Sequence, residues 1–184
     1  MINVSLDGFA DHTVAIADDE LHEYVAGYIE TADTAIFGRT TYEMMASSWP
    51  HAPQDPNATP GEIRFARRFN EMPKIVYSQT LQKAEWNNTK LVRENAVEDV
   101  ARLKQQAGGV ISIGGLRLSS ALLKAGLIDE FRILVHPVIV RSGTRLFSGA
   151  GVQEKLKLTD VRTLHSGVSV LRYTRGARPT SGKE

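Results

Sequence analysis

Two segments of the chain place glycine where a short apolar strand gives way to a helical pattern. The first is "AIFGRTTYE", in which Gly38 precedes an arginine and two threonines, and the second is "VISIGGLRL", which contains the pair Gly114-Gly115. A helix N-terminus presents unpaired backbone N–H groups and the positive end of the helix dipole, and glycine lets an anion approach the backbone closely. Both segments therefore have the residue types of a phosphate-binding site.

Each segment also has a simpler interpretation. A glycine after a strand more often serves turn geometry than phosphate chemistry, and neither segment matches the GxGxxG or P-loop pattern. Open α/β sheets nevertheless bind ligands beyond the carboxyl ends of their strands. Two such glycine sites in one chain of 184 residues favour a groove for a dinucleotide over two unrelated turns.

The remaining reactive residue types exclude several other chemistries. The five histidines form neither a His-x-x-x-His nor a His-Glu-x-x-His pattern, so we expect no metal site. His136, within an apolar run before Pro137, is expected to be a hydrogen-bonded core or edge residue. The pair Ser119-Ser120 lacks the GxSxG pattern of a nucleophile elbow and fits the small polar face of a helix.

The elements that must position the glycines alternate between strands and helices. Helical spacing of apolar residues predicts helices at about 18–31, 39–49, 61–72, 97–106 and 118–125, with short strands between them. From residue 129 the chain is predicted to be β, and "KLKLTDVRTLHS" and "GVSVLRYTR" form a hairpin across Ser166-Gly167. This order predicts an α/β fold with a mainly parallel central sheet and an antiparallel C-terminal hairpin. The Pro-rich segment 50–60 is compatible with a lid or an ordinary loop, and 176–184 is expected to be a disordered tail.

Composition limits the classes of function. The length favours a single domain at about 1–175. A formal net charge of +1 with no block of like charges argues against nucleic-acid and membrane-surface partners. The chain has no cysteine, no signal peptide and no apolar segment of membrane-spanning length, so we expect a cytoplasmic protein without thiolate chemistry.

An ordered set of motifs along residues 2–174 resembles the dihydrofolate reductase-like family, specifically the RibD C-terminal type, the reductase domain of the bacterial riboflavin-biosynthesis deaminase-reductase. The motifs are "VSLDGF", "GRTTYE", "PKIVYSQTL", "ISIGG", "AGLIDEFRILVHPVIV" and "SGVSVLRY". The resemblance implies a dihydrofolate reductase-like three-layer α/β fold, NADPH as the hydride donor and, often, a homodimer.

The same resemblance implies which residues hold NADPH. The phosphates are assigned to Gly38, Arg39, Thr40 and Thr41. The adenosine 2′-phosphate is assigned to Ser78, Gln79 and Thr80, and the motif names no basic residue beside them. The pyrophosphate turn matches Ile113, Gly114, Gly115, Leu116, Arg117 and Leu118.

The resemblance also implies a pocket for nicotinamide and substrate around "SLDG". Asp7 is the acid to test there, although capping of its own turn is an equally good role for it. Dihydrofolate reductase holds its pterin with an acid on the first helix, and His22 lies nearest that place, which makes folate a poor fit. Ile113 stands where the riboflavin reductase has a substrate-binding glutamate. The predicted pocket residues are Ser5, Asp7, Phe9, His22, Tyr42 and Trp49, of which the last two are at a spacing more typical of a core.

These features together predict an NADPH-dependent reductase of a small, pterin- or aminopyrimidine-like heterocycle. Hydride transfer requires mainly positioning and a dry pocket from the protein, because the cofactor carries the chemistry. The alternative is a nucleotide-cofactor-binding module without turnover, such as a sensor or ligand carrier.

Overall fold

The structure is a computed structural model, which describes residues 1–10, 13, 15–147 and 154–176. Strands and helices alternate through most of this length, as the sequence pattern predicts. In chain order the elements are β1 (Ile2–Ser5), α1 (Asp19–Ile29), β2 (Ala32–Gly38), α2 (Arg39–Ala46), α3 (Pro60–Glu71), β3 (Lys74–Tyr77), β4 (Thr89–Val92), α4 (Ala96–Leu103), β5 (Val110–Gly114), α5 (Leu116–Lys124), β6 (Glu130–His136), β7 (Leu156–Thr163) and β8 (Ser169–Arg175).

The strands hydrogen-bond as two four-stranded sheets, in the orders β4-β3-β2-β5 and β1-β6-β8-β7. Every pair is parallel except β6 with β8 and β7 with β8, which confirms the mainly parallel arrangement and the C-terminal hairpin. The division into two sheets was not predicted. A cleft lies between β5 and the strands β1 and β6, and Ile111, Phe131 and Ile133 are among its lining residues.

Helices cover the strands in layers. On one side of β2 and β3, α1 and α3 bury an aromatic-rich cluster that includes Phe37, Phe65 and Phe69. On the other side α4 and α5 bury Val100 and Leu122 against the same strands. Each fully buried aliphatic or aromatic side chain contributes about 1.5–3 kcal/mol through removal of apolar surface from water. The three-layer α/β architecture implied by the resemblance is confirmed.

Side chains define both ends of α3. Thr59 and Glu62 form a capping box at its start, which agrees with the predicted helix at 61–72. At its other end the buried ammonium of Lys74 donates hydrogen bonds to the carbonyl oxygens of Phe69 and Met72, the latter at 2.9 Å. Burial lowers the pKa of Lys74 to about 8. The lysine therefore satisfies carbonyls that the helix itself leaves unpaired.

Two predicted segments are modified by the structure. The apolar run 129–140, whose far end was expected to be an edge or a bulge because of Pro137, is a strand only as far as His136, since Pro137 has no N–H to continue the ladder. The Pro-rich segment contains one 3-10 turn, Ala52–Gln54. Of the tail predicted to be disordered, only Gly176 lies within the described residues. In the described part of the chain, no helix is long and apolar enough to cross a membrane.

Candidate functional site

The two glycine segments meet at one edge of the first sheet. β2 and β5 are parallel neighbours, with Phe37 opposite Gly114, so Gly38 and Gly115 follow adjacent strand ends. Thr41, in the first turn of α2, lies between them: a Cβ placed on Gly115 would be 2.8 Å from its Oγ1 and 3.8 Å from the backbone nitrogen of Gly38. The starts of α2 and α5 are therefore side by side.

The three glycines are there for different physical reasons. Gly115 has a φ of +105°, which side chains rarely adopt, and a Cβ on Gly114 would lie 2.7 Å from the Phe37 ring. Gly38 has an ordinary extended backbone, with φ −81° and ψ 165°, and nothing lies within 4 Å of a Cβ built on it. Neither backbone strain nor packing within the described protein requires glycine at 38, so the space beside it is open.

Capping separates these two helices from the other three. Side chains of Asp18, Thr59 and Asn95 cap α1, α3 and α4, and each of those helices has an acidic residue in its first turn. In α2 and α5 no side chain caps the N-terminus, and the first turns contain Arg39 and Arg117 but no acid. Because neither first turn contains an acid, an anion bound there would interact favourably with both the helix dipole and the nearby arginine. Both N-termini are thus electrostatically suited to an anion.

The turn after β3 continues the same edge. Gly38 pairs with Tyr77 across the parallel β2 and β3, so residues 78–80 start one strand away from Gly38. The Ser78 hydroxyl accepts hydrogen bonds from the backbone nitrogens of Thr80 and Leu81, at 3.2 and 2.9 Å. Arg39 Nη1 donates to Thr80 Oγ1 at 2.9 Å, and its Nε donates to Glu43. A half-exposed guanidinium therefore joins the start of α2 to this turn.

Arg93, directly after β4, is a site residue that the motif reasoning missed. Its guanidinium donates to the carbonyl oxygens of Gln79 and Leu81 at 3.0 and 2.9 Å, and to that of Gln82 at 3.4 Å. β4 is parallel to β3 and ends at the same edge, so its position directly after a strand is the signal by which the sequence could have revealed it. Two arginines therefore flank the 78–82 turn.

The remaining residues of the predicted pyrophosphate turn differ in exposure, some being accessible and others buried in the core. Arg117 is exposed, whereas Leu118 is buried among the side chains between α5 and the sheet. Ile113 lines the cleft between the two sheets. Thr40 is exposed in the first turn of α2. Leu118 therefore serves packing, and only the backbone of its turn is available at the strand edge.

Ser5, Asp7 and Phe9 form a compact turn after β1. The backbone nitrogen of Phe9 donates to Ser5 Oγ at 3.0 Å, and both residues are buried. The Asp7 carboxylate accepts from the backbone nitrogens of Val140 and Arg141, at 3.3 and 2.8 Å. Hydrogen bonds from the Ser5 side chain and from these two nitrogens lower the pKa of Asp7. As an ionised acceptor, Asp7 ties the turn to the segment after β6, and a catalytic role for it stays a prediction.

The acids at the start of α1 have structural partners. Asp18 caps the helix, and Asp19 accepts from the backbone nitrogen of Gly61 at 2.8 Å. Glu20 accepts from the backbone nitrogen of His165 at 2.7 Å. His22 differs from them: its Nδ1 is buried, and none of the described residues offers it a hydrogen bond. Its ring packs edge-on against Trp49, with the centroids 5.7 Å apart.

Tyr42 lies in the core, which corrects its placement on the wall of an open pocket. It is 3 % exposed, and its hydroxyl oxygen accepts a hydrogen bond from the backbone nitrogen of Trp86 at 3.0 Å. The first turn of α2 directs this side chain inward because its position coincides with the apolar face of the helix. Trp49 is half-buried, with its ring 4.4 Å from that of Phe65. Trp49 and His22 are the members of the predicted pocket on the α1 and α2 side that remain partly accessible.

Among the described residues, no group of three or more His, Asp or Glu side chains could hold a metal ion. His136 is fully buried; its Nδ1 accepts from the backbone nitrogen of Ile16 at 3.1 Å, and its Nε2 lies 3.0 Å from Asn3 Oδ1. Burial lowers the pKa of His136. The expectation of a hydrogen-bonded core histidine is confirmed.

Comparisons with known proteins agree with this fold. Uncharacterised protein YwjB of Bacillus subtilis is 31% identical over 181 residues, covering 95% of each chain. A putative riboflavin biosynthesis protein from Shewanella sp. PV-4 has the same fold, with a TM-score of 0.70 at 22% identity over 95% of this chain and 96% of that one. Dihydrofolate reductase from Enterococcus faecalis, solved with NADP(H), aligns with a TM-score of 0.58 at 16% identity, covering 95% of this chain and 93% of that one.

A family model matches residues 1–170, nearly the whole described length, and its family is the RibD C-terminal domain. The match confirms the resemblance found in the motifs and supports a reductase-type protein. The chain belongs to the RibD C-terminal domain family.

Proposed function

We propose that the protein is an NADPH-dependent reductase of a small heterocyclic substrate. The observation that carries the proposal is the pair of uncapped helix N-termini, α2 and α5, which meet at one sheet edge with arginines in their first turns. An anion bound between them would satisfy backbone N–H groups and both dipoles at once. A dinucleotide is the ligand whose anionic centre fits such a pair, and the family relationship supports a nicotinamide dinucleotide.

The order of the strands supports binding of the cofactor from its 2′-phosphate to its pyrophosphate. β3, β2 and β5 are consecutive, so the turn at 78–80 and the turn at Gly114-Gly115 are separated by two strand spacings, or about 10 Å. Arg39 and Arg93 provide positive charge at the 78–82 turn, as a 2′-phosphate requires. Gly38 and Thr41 lie between the two turns, next to the open space where phosphates would contact backbone N–H groups.

NADPH bound here would supply the hydride, and the chain would supply orientation and shielding. Ser5, Asp7 and Phe9 shape the turn after β1, and His22 with Trp49 forms the partly accessible wall on the side of α1. We assign the substrate to the pterin- or aminopyrimidine-like heterocycles because flat rings of this kind fit between strand ends and aromatic side chains. If the protein is cytoplasmic, as the sequence predicts, the NADPH of that compartment would be its reductant.

Isothermal titration with NADPH and NADH tests the proposal. We expect NADPH to bind in the micromolar range and more tightly than NADH. Turnover is tested by NADPH oxidation with a panel of pterins, aminopyrimidines and quinones. Absence of NADPH binding to the folded protein refutes the proposal.

A binding module without turnover is the second candidate. The carboxylates of the turn after β1 and of the start of α1 all accept hydrogen bonds from backbone nitrogens; they are Asp7, Asp18, Asp19 and Glu20. That observation favours a site in which these groups are structural. Micromolar NADPH binding without oxidation by any member of the panel would select this candidate.

A further inference from the structure

The two ring nitrogens of His136, the buried last residue of β6, have different partners. The backbone nitrogen of Ile16 donates a hydrogen bond to Nδ1 at 3.1 Å, and Nε2 lies 3.0 Å from the Oδ1 of Asn3 on β1. A backbone N–H can only donate, so Nδ1 carries no proton and the proton of the ring is on Nε2. The contacts therefore hold the imidazole in its neutral form, with its N–H directed at Asn3.

The hydrogen bond from Ile16 attaches the entry to α1 to the second sheet. Residues 15–18 form neither helix nor strand, and they lead into the N-cap of α1 at Asp18. In the part of the chain that the structure describes, this is the one hydrogen bond from residues 15–18 to that sheet. The half-buried side chain of Ile16 also packs against the apolar cluster that contains Leu21 and Leu134. The attachment therefore depends on one acceptor nitrogen and on local packing.

Protonation of His136 would turn this acceptor into a donor. An imidazolium carries a hydrogen on both nitrogens, so an Nδ1–H would face the N–H of Ile16 and their hydrogen bond would be lost. The positive charge would also be buried in the core, where water cannot solvate it. Burial lowers the pKa of His136 for this reason. Displacement of residues 15–18 would relieve both costs, because it separates the two donors and admits water to the ring.

Asp18 is the charged group that acts on the imidazole from the described elements around it. Its carboxylate raises the pKa of His136, against the larger effect of burial. The neighbouring strands present uncharged residues: Ser5 of β1 lies opposite His136, and Ser169 of β8 lies opposite the residue before it. The protonation of His136 is therefore governed by burial, by Asn3 and by one carboxylate.

A second histidine contacts α1, but acid would strengthen its contact. His165, in the turn between β7 and β8, is almost fully exposed, and its Nδ1 lies 3.0 Å from a carboxylate oxygen of Glu20. An imidazolium at this position would attract the carboxylate, as Arg162 does at 3.7 Å. Release of the start of α1 at low pH is thus expected from His136 and not from His165.

We propose that His136 is an acid-sensitive contact that holds the entry to α1 when its Nδ1 is unprotonated and releases residues 15–18 when it is protonated. These residues directly precede α1, and His22 of that helix belongs to the wall of the predicted substrate pocket. Release would therefore loosen that wall. The inference depends only on contacts within the chain and does not rest on the proposed function.

NMR titration combined with amide hydrogen exchange tests the contact on the full chain. The Cε1–H resonance of His136, identified by its absence from the spectrum of His136→Asn, reports protonation. The protection factor of the Ile16 amide, corrected for the intrinsic exchange rate, reports release. We expect both to change together below about pH 6.5. Protection should fall by up to about 10-fold per pH unit, because release is accompanied by uptake of one proton.

Two charge changes of nearly unchanged shape should move this transition in opposite directions. Asn3→Asp places a carboxylate beside Nε2 and should raise the transition by about one pH unit or more, whereas Asp18→Asn keeps a good N-cap, removes a charge and should lower it. His136→Asn can still accept a hydrogen bond from Ile16 but does not titrate, so it should keep that amide protected throughout. His165→Gln is the matched control and should leave the transition at its wild-type pH.

Three results would each overturn the proposal. The first is protection of the Ile16 amide that stays constant while His136 titrates. The second is a His136 that remains neutral until far-UV circular dichroism shows the whole protein unfolding in acid. The third is a transition that neither Asn3→Asp nor Asp18→Asn moves. None of these measurements uses NADPH, so this proposal and the proposed function can fail separately.

Discussion

Replacement of Gly38 by alanine separates ligand binding from folding more cleanly than any other change at the site. Its backbone, φ −81° and ψ 165°, suits alanine, and the added Cβ meets no atom within 4 Å. Alanine is a slightly poorer N-cap than glycine, and it also lowers the entropy of the unfolded chain; the two effects are each below about 1 kcal/mol and opposite in sign. The melting temperature should change by no more than about 4 °C.

The effect on NADPH binding should be much larger. A phosphate oxygen that accepts from backbone N–H groups at about 2.9 Å has no room for a methyl group in the same space. Loss of one charge-assisted hydrogen bond costs about 1.5–3 kcal/mol, which raises the Kd for NADPH by roughly 10- to 150-fold. Isothermal titration provides the Kd, and differential scanning calorimetry of the same samples provides the melting temperature.

Two other glycine substitutions complete the experiment. Gly27→Ala lies within α1, away from the strand edge, and should bind NADPH like the wild-type protein while the helix becomes slightly more stable. Gly115→Ala forces a side chain into φ +105°, so its folding cost of about 1–3 kcal/mol would obscure any change in affinity. If Gly38→Ala binds NADPH as tightly as the wild-type protein, the reasoning about the open space beside Gly38 is refuted.

Three further predictions concern other parts of the molecule. Arg93→Gln should raise the Kd for NADPH by about 10-fold and leave that for NADH nearly unchanged, because a 2′-phosphate requires positive charge beside the 78–82 turn; equal losses for both cofactors in binding titrations would contradict this. Asp7→Asn should lower the melting temperature at neutral pH. The pKa of Asp7 is lower in the folded than in the unfolded state. The stability of the wild-type protein relative to Asp7→Asn should therefore be greatest above the unfolded pKa and disappear as the pH falls through the folded pKa. A stability difference that does not change in thermal scans from pH 2 to 7 would count against the carboxylate's role. Lys74 has a folded pKa of about 8, below its unfolded value of 10.5, so the unfolded state binds more protons between these values and stability should rise with pH by about 1 kcal/mol per unit. Denaturant titrations of wild-type protein and Lys74→Met between pH 8 and 10 should diverge, and parallel curves would exclude this linkage.

The sheet edge that would hold the cofactor could be predicted from the sequence because it depends on local sequence patterns. Glycine at 38 and at 114–115, directly after apolar runs and before helical spacing, placed both turns on the same edge once the strands were taken as parallel. The periodicity of a sequence does not show which strands are neighbours in a sheet. Arg93 was therefore missed, although it directly follows β4 as Arg39 directly follows β2. Its three backbone acceptors lie 11 to 14 residues earlier in the chain.

The substrate side was predicted less well for a related reason. Tyr42 and Trp49 share a helical spacing with core residues. Tyr42 is buried beside Trp86, which donates a backbone hydrogen bond to its hydroxyl oxygen, whereas Trp49 packs on Phe65 of α3 and stays partly accessible. Asp7 was expected either to act on substrate or to cap its own turn, yet its main backbone partners, Val140 and Arg141, are more than 130 residues away. Long-range hydrogen bonds of this kind leave no periodic trace in a sequence.

The separation of the two sheets affects how the predicted cofactor site and the turn after β1 are held relative to each other. The strand ends that would hold the dinucleotide belong to β3, β2 and β5, whereas the turn at Ser5 to Phe9 extends from β1 in the other sheet. Among the described residues no backbone hydrogen bond joins β5 to β1, so side-chain packing alone fixes the gap between them. The phosphates of the dinucleotide and the turn after β1 would therefore be held by separate sheets. Mutation of Ile111 or Ile133, which line the cleft between these sheets, would change their spacing without removing a backbone hydrogen bond from either one.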